Sequence, residues 1–307
     1  MNKKSIGIMV GVVVFIASMG ILKNSINNNN NIQLKLETAE KSNEGNKTLI
    51  EKESKVDNEI SSLISRSIGD ETSDIVIVYA QGGPITEVEE EVLEEFRDSH
   101  EKLQKALILQ AHQIQTESPE LFMTEEITFD QAIEYDKKTL ENITKIVKHY
   151  KLKGKKVYVI GVSFGAFVVT DLIAEEGPNL ADGYGIMVGR LDMDDVFWKG
   201  FSQGKGGEFK GGVEPVLNQS ECVEEANMYK LAAGIGHKRF TEELKDMDLS
   251  RLVYAYGKVD EAVGALTADE IKFLQDRKAT ILANEGGHSE ASTYEVPGMM
   301  NFLLNEK

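Results

Sequence analysis

From Asp74 onward, short apolar runs alternate with longer stretches whose apolar residues recur every three or four positions. "IVIVYA" (75–80), "ALILQAH" (106–112), "KKVYVIG" (155–161), "GYGIMVG" (183–189), "RLVYAYG" (251–257) and "ATILANEGG" (279–287) read as buried strands. They are short, rich in β-branched and aromatic residues, and bounded by glycine, proline or charged turns. Between them lie helical patterns. "ITEVEEEVLEEFRDSHEKL" (85–103) repeats Ile85, Val88, Val92, Phe96 and Leu103 on one face, and Thr86 with Glu89 has the spacing of a capping box. On that reading its glutamates are a solvated helix face. "TFDQAIEYDKKTLENITKIVKHY" (128–150), capped by Thr128 and Gln131, "SFGAFVVTDLIAEEG" (163–177) and "ADEIKFLQDR" (268–277) follow the same rule. Strands separated by helices predict an α/β fold: a mostly parallel central sheet covered by helices on both faces.

Residues 192–248 break the alternation. "DVFWKGFSQGKGGEFKGGVEP" is rich in glycine and aromatics, and a helix-like "CVEEANMYKLAAGIGHKRFTEELKDM" follows. A long glycine-rich segment between two strands predicts a cap or lid inserted over the sheet, with Phe197, Trp198, Phe201 and Phe209 packing over a pocket.

Upstream of Asp74 the pattern differs. "MNKK" and the 18 uncharged residues "SIGIMVGVVVFIASMGIL" predict a signal peptide or membrane anchor over 1–23, and hence an extracytoplasmic protein, secreted, periplasmic or anchored. Residues 24–73, including "NSINNNNN", read as a polar linker or stalk, with "NEISSLISRSI" (58–68) as one helix against the body and "IQLKLE" (32–37) as an alternating segment. The domain is then expected over 74–307.

Composition narrows the function classes. With 51 acidic and 34 basic side chains the chain carries a formal charge of −17, which argues against nucleic acid and against anionic membranes as partners. A membrane is met only through the N-terminal segment. Cys222 is the single cysteine, so no internal disulfide forms and cysteine-type metal clusters are excluded.

The third strand ends in Gly161-Val162-Ser163-Phe164-Gly165, and a helix follows directly. Glycines at Gly161 and Gly165 let a strand turn into a helix without side-chain clash and leave the serine on a sharp, exposed bend beside free N–H groups. A serine nucleophile needs a base, and the base needs an orienting acid. Of five histidines, His100 and His149 lie on predicted helices, His112 precedes the serine and His237 falls in the cap. His288 follows the last strand, where parallel sheets gather their functional loops. Asp260 follows the fifth strand, and its neighbour Glu261 is the alternative acid. Gly82 and Gly83, after the first strand, and Phe164, after the serine, are the expected backbone donors to an oxyanion.

With these residues in place, the stretch from 74 to 307 resembles the α/β-hydrolase superfamily. The features that carry the likeness are the elbow around Ser163, the loop Gln81-Gly82-Gly83-Pro84, the strand-Gly257-x-x-Asp260 segment and Gly287-His288. The chain departs from the family's pattern at Gln81, where histidine is frequent, and in showing no antiparallel first strands upstream of Asp74. The resemblance implies a serine hydrolase acting on a small-molecule ester, thioester or amide, without metal or organic cofactor. A non-catalytic binding protein on the same fold is the alternative.

Overall fold

The computed structural model describes residues 55–305. The expected signal or anchor (1–23), the first part of the stalk (24–54) and "IQLKLE" lie outside the described residues. The chain divides after Asn58, and the unit from Glu59 carries every element below. No described helix is long and apolar enough to cross a membrane.

The central sheet has seven strands: β1 (Ile64–Ile68), β2 (Ile75–Ala80), β3 (Leu107–Ala111), β4 (Lys156–Val162), β5 (Gly183–Met187), β8 (Leu252–Gly257) and β9 (Thr280–Asn284). Their spatial order is β1-β3-β2-β4-β5-β8-β9. All neighbours are parallel except β1, which runs antiparallel to β3. The first departure from expectation is here. The domain does not begin at Asp74: residues 59–62 end a helix and Ile64–Ile68 adds a strand, inside the stretch expected as stalk. An edge strand with sequence "ISRSI" covers only one flank and buries little, so it shows no apolar run.

From Val92 onward, helices of seven residues or more are numbered in chain order: α1 (Val92–Ser99), α2 (Phe129–Leu152), α3 (Phe164–Glu176), α4 (Asp195–Phe201), α5 (Val223–Gly236), α6 (Ala268–Asp276), α7 (His288–Tyr294) and α8 (Val296–Leu304). Successive strand residues face opposite ways, so β2 serves two cores at once. Val76, Val78 and Ala80 join the core that contains residues of α2, α3 and α5, while Ile77 and Tyr79 join the core of α1 and α8. Each fully buried Val or Ile stabilises the fold by roughly 1.5–3 kcal/mol.

Residues 85–91 are the second departure. The expected helix from Ile85 starts only at Val92, and the Thr86–Glu89 capping box does not form. Thr86 Oγ1 donates to Glu224 of α5 at 2.7 Å, and Glu89 accepts from the Tyr79 hydroxyl at 2.6 Å.

The glycine-rich insertion is ordered. It folds as α4, an antiparallel hairpin of β6 (Lys205–Lys210) and β7 (Glu214–Gln219), and α5. Phe197, Phe201 and Phe209 are buried, with ring centroids 4.8 Å apart for Phe197–Phe201 and 4.2 Å for Phe197–Phe209. Trp198 stacks on Phe129 instead. Glycine here serves close packing: a Cβ on Gly206 would stand 2.6 Å from the Tyr229 ring.

Candidate active site

Ser163 stands between β4 and α3 with φ 54° and ψ −115°. A positive φ costs a non-glycine residue about 1–3 kcal/mol and persists only where its surroundings enforce it. They do so here by close packing. A Cβ on Gly161 would lie 2.0 Å from the Gly165 carbonyl oxygen, and one on Gly165 would lie 2.0 Å from the Ala80 carbonyl oxygen. The turn is pinned further: Ser163 N–H donates to Met187 O at 2.9 Å, and Ala166 N–H donates to Ser163 O at 2.9 Å. Val188, directly after β5, is a second strained residue at this edge, with φ 49°.

The loop after β8 carries the acid. Asp260 is buried, and its Oδ1 accepts backbone N–H groups of Ala262 at 2.9 Å and Val263 at 3.0 Å. Its carboxylate also meets His288 Nδ1, at 2.8 Å through Oδ2 and 3.0 Å through Oδ1. The Asp260 side chain is 2% exposed and that of His288 18%. A carboxylate only accepts, so Nδ1 is the donor of this bond, which in the neutral ring leaves Nε2 as the acceptor. His288 opens α7 after a loop that packs tightly on β8: a Cβ on Gly257 would stand 2.5 Å from Gly287 O. Glu261, the alternative acid, takes a different part of the same residue. Its Oε2 accepts the His288 backbone N–H at 3.2 Å.

The β6–β7 hairpin holds this acid loop from the cap side. Phe209 N–H donates to Glu261 O at 2.6 Å, and Ala265 N–H donates to Gly212 O at 2.8 Å. Nothing in the sequence alone connected the cap to Asp260.

Ser163, Asp260 and His288 thus all follow the carboxyl ends of sheet strands. Asp260 and His288 are in contact; no hydrogen bond joins Ser163 Oγ to the imidazole. Of the expected oxyanion donors, Gly83 (φ 55°) and Phe164 make no backbone hydrogen bond outside helix or strand. Phe164 N–H is one of the free donors at the start of α3. Gly82 N–H faces the Tyr79 hydroxyl at 3.4 Å. The other histidines lie elsewhere: His100 caps a turn, His112 pairs with Thr116, and His237 packs against Phe129.

Gln81, the residue at the departure from the family pattern, is fully buried and fixes the loop. Its amide donates to Glu87 O at 2.9 Å, its carbonyl accepts from Gln110, and Gln113 donates to its backbone oxygen at 3.3 Å. A polar cavity of about 360 Å³ lined by Arg190, Asp192, Thr241, Thr267 and Glu270, among others, includes none of the three site residues. Its walls hold an Arg190–Glu270 ion pair, and the Thr241 and Thr267 hydroxyls donate to Asp192 and Glu270.

No family model and no curated protein sequence matches the chain. Solved structures do. A bromoperoxidase from Bacillus anthracis superposes with a TM-score of 0.50 at 12% identity, over 78% of this chain and 94% of that one. An α/β-hydrolase enzyme from a deep-sea metagenome library gives 0.49 at 10% identity, over 79% and 94%. Est1E from Butyrivibrio proteoclasticus gives 0.45 at 15% identity, over 75% and 88%. At such identities the shared feature is the path of the chain, and together with the mostly parallel seven-stranded sheet flanked by helices it shows that this protein has the α/β-hydrolase fold.

Proposed function

We propose that the protein is an exported serine hydrolase that cleaves a carboxylic ester through an acyl-enzyme on Ser163. The observation that supports this most is the pairing of a strained serine with a polarised histidine at one sheet edge. Ser163 is held at φ 54°, and His288 is fixed through Nδ1 by the buried Asp260.

The steps follow from those positions. Ser163 Oγ attacks the ester carbonyl carbon while its proton passes to His288 Nε2, a bond that forms as substrate binds. The backbone N–H groups of Gly83 and Phe164 receive the oxyanion. Collapse breaks the bond to the alkoxy group, which leaves as an alcohol carrying the proton from Nε2. A water then adds to the acyl carbon, gives its proton to Nε2, and releases the acid as the proton returns to Ser163 Oγ. Asp260 remains a carboxylate throughout, orienting the ring and stabilising its charged form. Thioesters and amides follow the same sequence. Export rests on the basic and apolar N-terminal residues, which lie outside the described ones.

The test is covalent labelling of the purified full-length protein with a fluorophosphonate, the modified peptide being mapped by mass spectrometry. Label on Ser163, absent from Ser163→Ala and from heated protein, is the expected result. A serine that stays unlabelled in protein that also leaves small acetyl esters intact would replace the enzyme with a binding protein on the same fold.

A further inference from the structure

Glu89 belongs to a stretch whose sequence reads as a solvated helix face, yet its carboxylate is turned inward. The buried Gln81 places it: Gln81 Nε2 donates to Glu87 O at 2.9 Å, and Gln81 Oε1 accepts the Glu89 backbone N–H at 3.4 Å. Glu89 Oε2 then accepts the Tyr79 hydroxyl at 2.6 Å. Its other oxygen, Oε1, lies 3.5 Å from the point where a Cβ on Gly82 would sit, and the Cβ of Ser163 lies 3.5 Å from that same point. Glu89 Oε1 therefore lies within 7.0 Å of the Ser163 Cβ, on the loop expected to receive the oxyanion. Burial raises its pKa, with bonds from Tyr79 and the Gly82 N–H opposing, and the further charge acting on it is another carboxylate, Glu95. Among the described residues Glu89 takes part in no ion pair.

This placement works against the chemistry of a neutral ester. Acyl transfer builds negative charge on the carbonyl oxygen. At an effective dielectric constant of about 20, a like charge about 6 Å away slows such a step roughly a hundredfold. Structure alone does not call for the charge, because a neutral glutamine would accept the Tyr79 hydroxyl equally well. A cation carried by the substrate would cancel the repulsion and use Oε1 as its acceptor.

We propose that Glu89 is a specificity-determining residue that selects acyl groups bearing a protonated amine one or two carbons from the reacting carbonyl. A separation of no more than 7.0 Å between Oε1 and the Ser163 Cβ sets that spacing. The inference rests on the serine-hydrolase reading and names its substrate class: amino-acyl esters.

The experiment compares β-alanine phenyl ester with phenyl propionate, which differs only in lacking the amine, on the purified full-length protein at neutral pH and about 0.5 M sodium chloride, where long-range attraction is screened. Glu89→Gln and Ser163→Ala are run beside the wild type. The expected kcat/KM favours the amino ester by about tenfold or more in the wild type, since a desolvated charge pair contributes at that level. In Glu89→Gln that ratio falls to about one, with phenyl propionate turned over faster than by the wild type. A purely structural role would lower both rates and leave the ratio alone. Equal rates on the two esters in the wild type, or a preference that survives in Glu89→Gln, overturns the inference while Ser163-dependent turnover of phenyl propionate leaves the hydrolase reading standing. Turnover of neither ester above the Ser163→Ala level overturns both.

Discussion

Ser163, the proposed nucleophile, has a backbone that only glycine adopts without cost, and the hydroxyl and the strain can be separated by substitution. At φ 54° a methyl group keeps the strain and a hydrogen removes it. Ser163→Gly is therefore expected to unfold at higher urea concentration than Ser163→Ala, by about 1 kcal/mol, although both lose the nucleophile. Identical midpoints would mean that the bend carries no strain. The neighbouring Gly165 tests the close approach. A Cβ there meets the Ala80 carbonyl oxygen at 2.0 Å, backbone that has no room to move. Gly165→Ala is expected to lose about 2–3 kcal/mol or more in urea unfolding, as overpacking against fixed atoms does; a variant within about 0.5 kcal/mol of the wild type would contradict the packing described. The elbow was legible because its two glycines and its serine fall at alternate positions within five residues, 161–165. Which of Asp260 and Glu261 meets the imidazole was not. Adjacent loop residues differ in orientation by the path of the backbone, and here Asp260 faces the ring while Glu261 reaches the His288 backbone N–H.

At the scale of elements, α2, α3 and α5 meet around two carboxyl groups that the mechanism does not use. Asp136 on α2 is buried, its Oδ2 has no hydrogen-bond partner, and a Cβ on Gly234 of α5 would stand 2.0 Å from that oxygen. Asp171 on α3 accepts from Lys238 at 2.6 Å. Burial pushes the Asp171 pKa up to about 6 even with Lys238 beside it, and burial together with the Asp171 charge holds Asp136 well above the usual carboxylate range. Both pKa values are raised in the fold, so between about pH 4 and the raised values the native state binds more protons than the unfolded chain. Stability is then lost as pH rises through that window. Asp136→Asn keeps the shape and removes the ionisation. Its advantage over the wild type in urea unfolding is expected to grow from near zero at pH 4 to about 1–3 kcal/mol at pH 8. A difference that does not change with pH would show that Asp136 ionises in the fold with its ordinary, unfolded-state pKa. α2 and α6 were readable, since their apolar residues recur with a helical period between clear caps. Elements held by something other than periodicity were not: β1 is a short polar edge, and the loop 85–91 has helical spacing but follows its bonds to Gln81, Tyr79 and Glu224. In the cap, the glycines of the β6–β7 hairpin resemble a flexible lid until the aromatic rings they admit are known.

The charge of −17 takes on meaning only with the whole molecule in view. As a bare count it argues against polyanionic partners and for a well-solvated surface. A reacting edge with Glu89 beside the nucleophile and Asp260 and Glu261 on His288 adds direction, because a net negative protein then attracts the cationic substrate proposed here toward a negative site. Long-range attraction of this kind is screened by salt, with a Debye length of about 10 Å at 0.1 M and about 3 Å at 1 M. The kcat/KM for β-alanine phenyl ester is therefore expected to fall several-fold between about 0.02 M and about 0.5 M sodium chloride, while that for phenyl propionate stays nearly flat. Glu89→Gln should keep part of this salt slope, because the remaining carboxylates still set the field, and lose the amine preference measured at high salt, because the short-range contact is gone. If both esters respond to salt alike, the acidity serves solubility alone and the recognition of an amine, where present, is confined to Glu89 and its immediate neighbours.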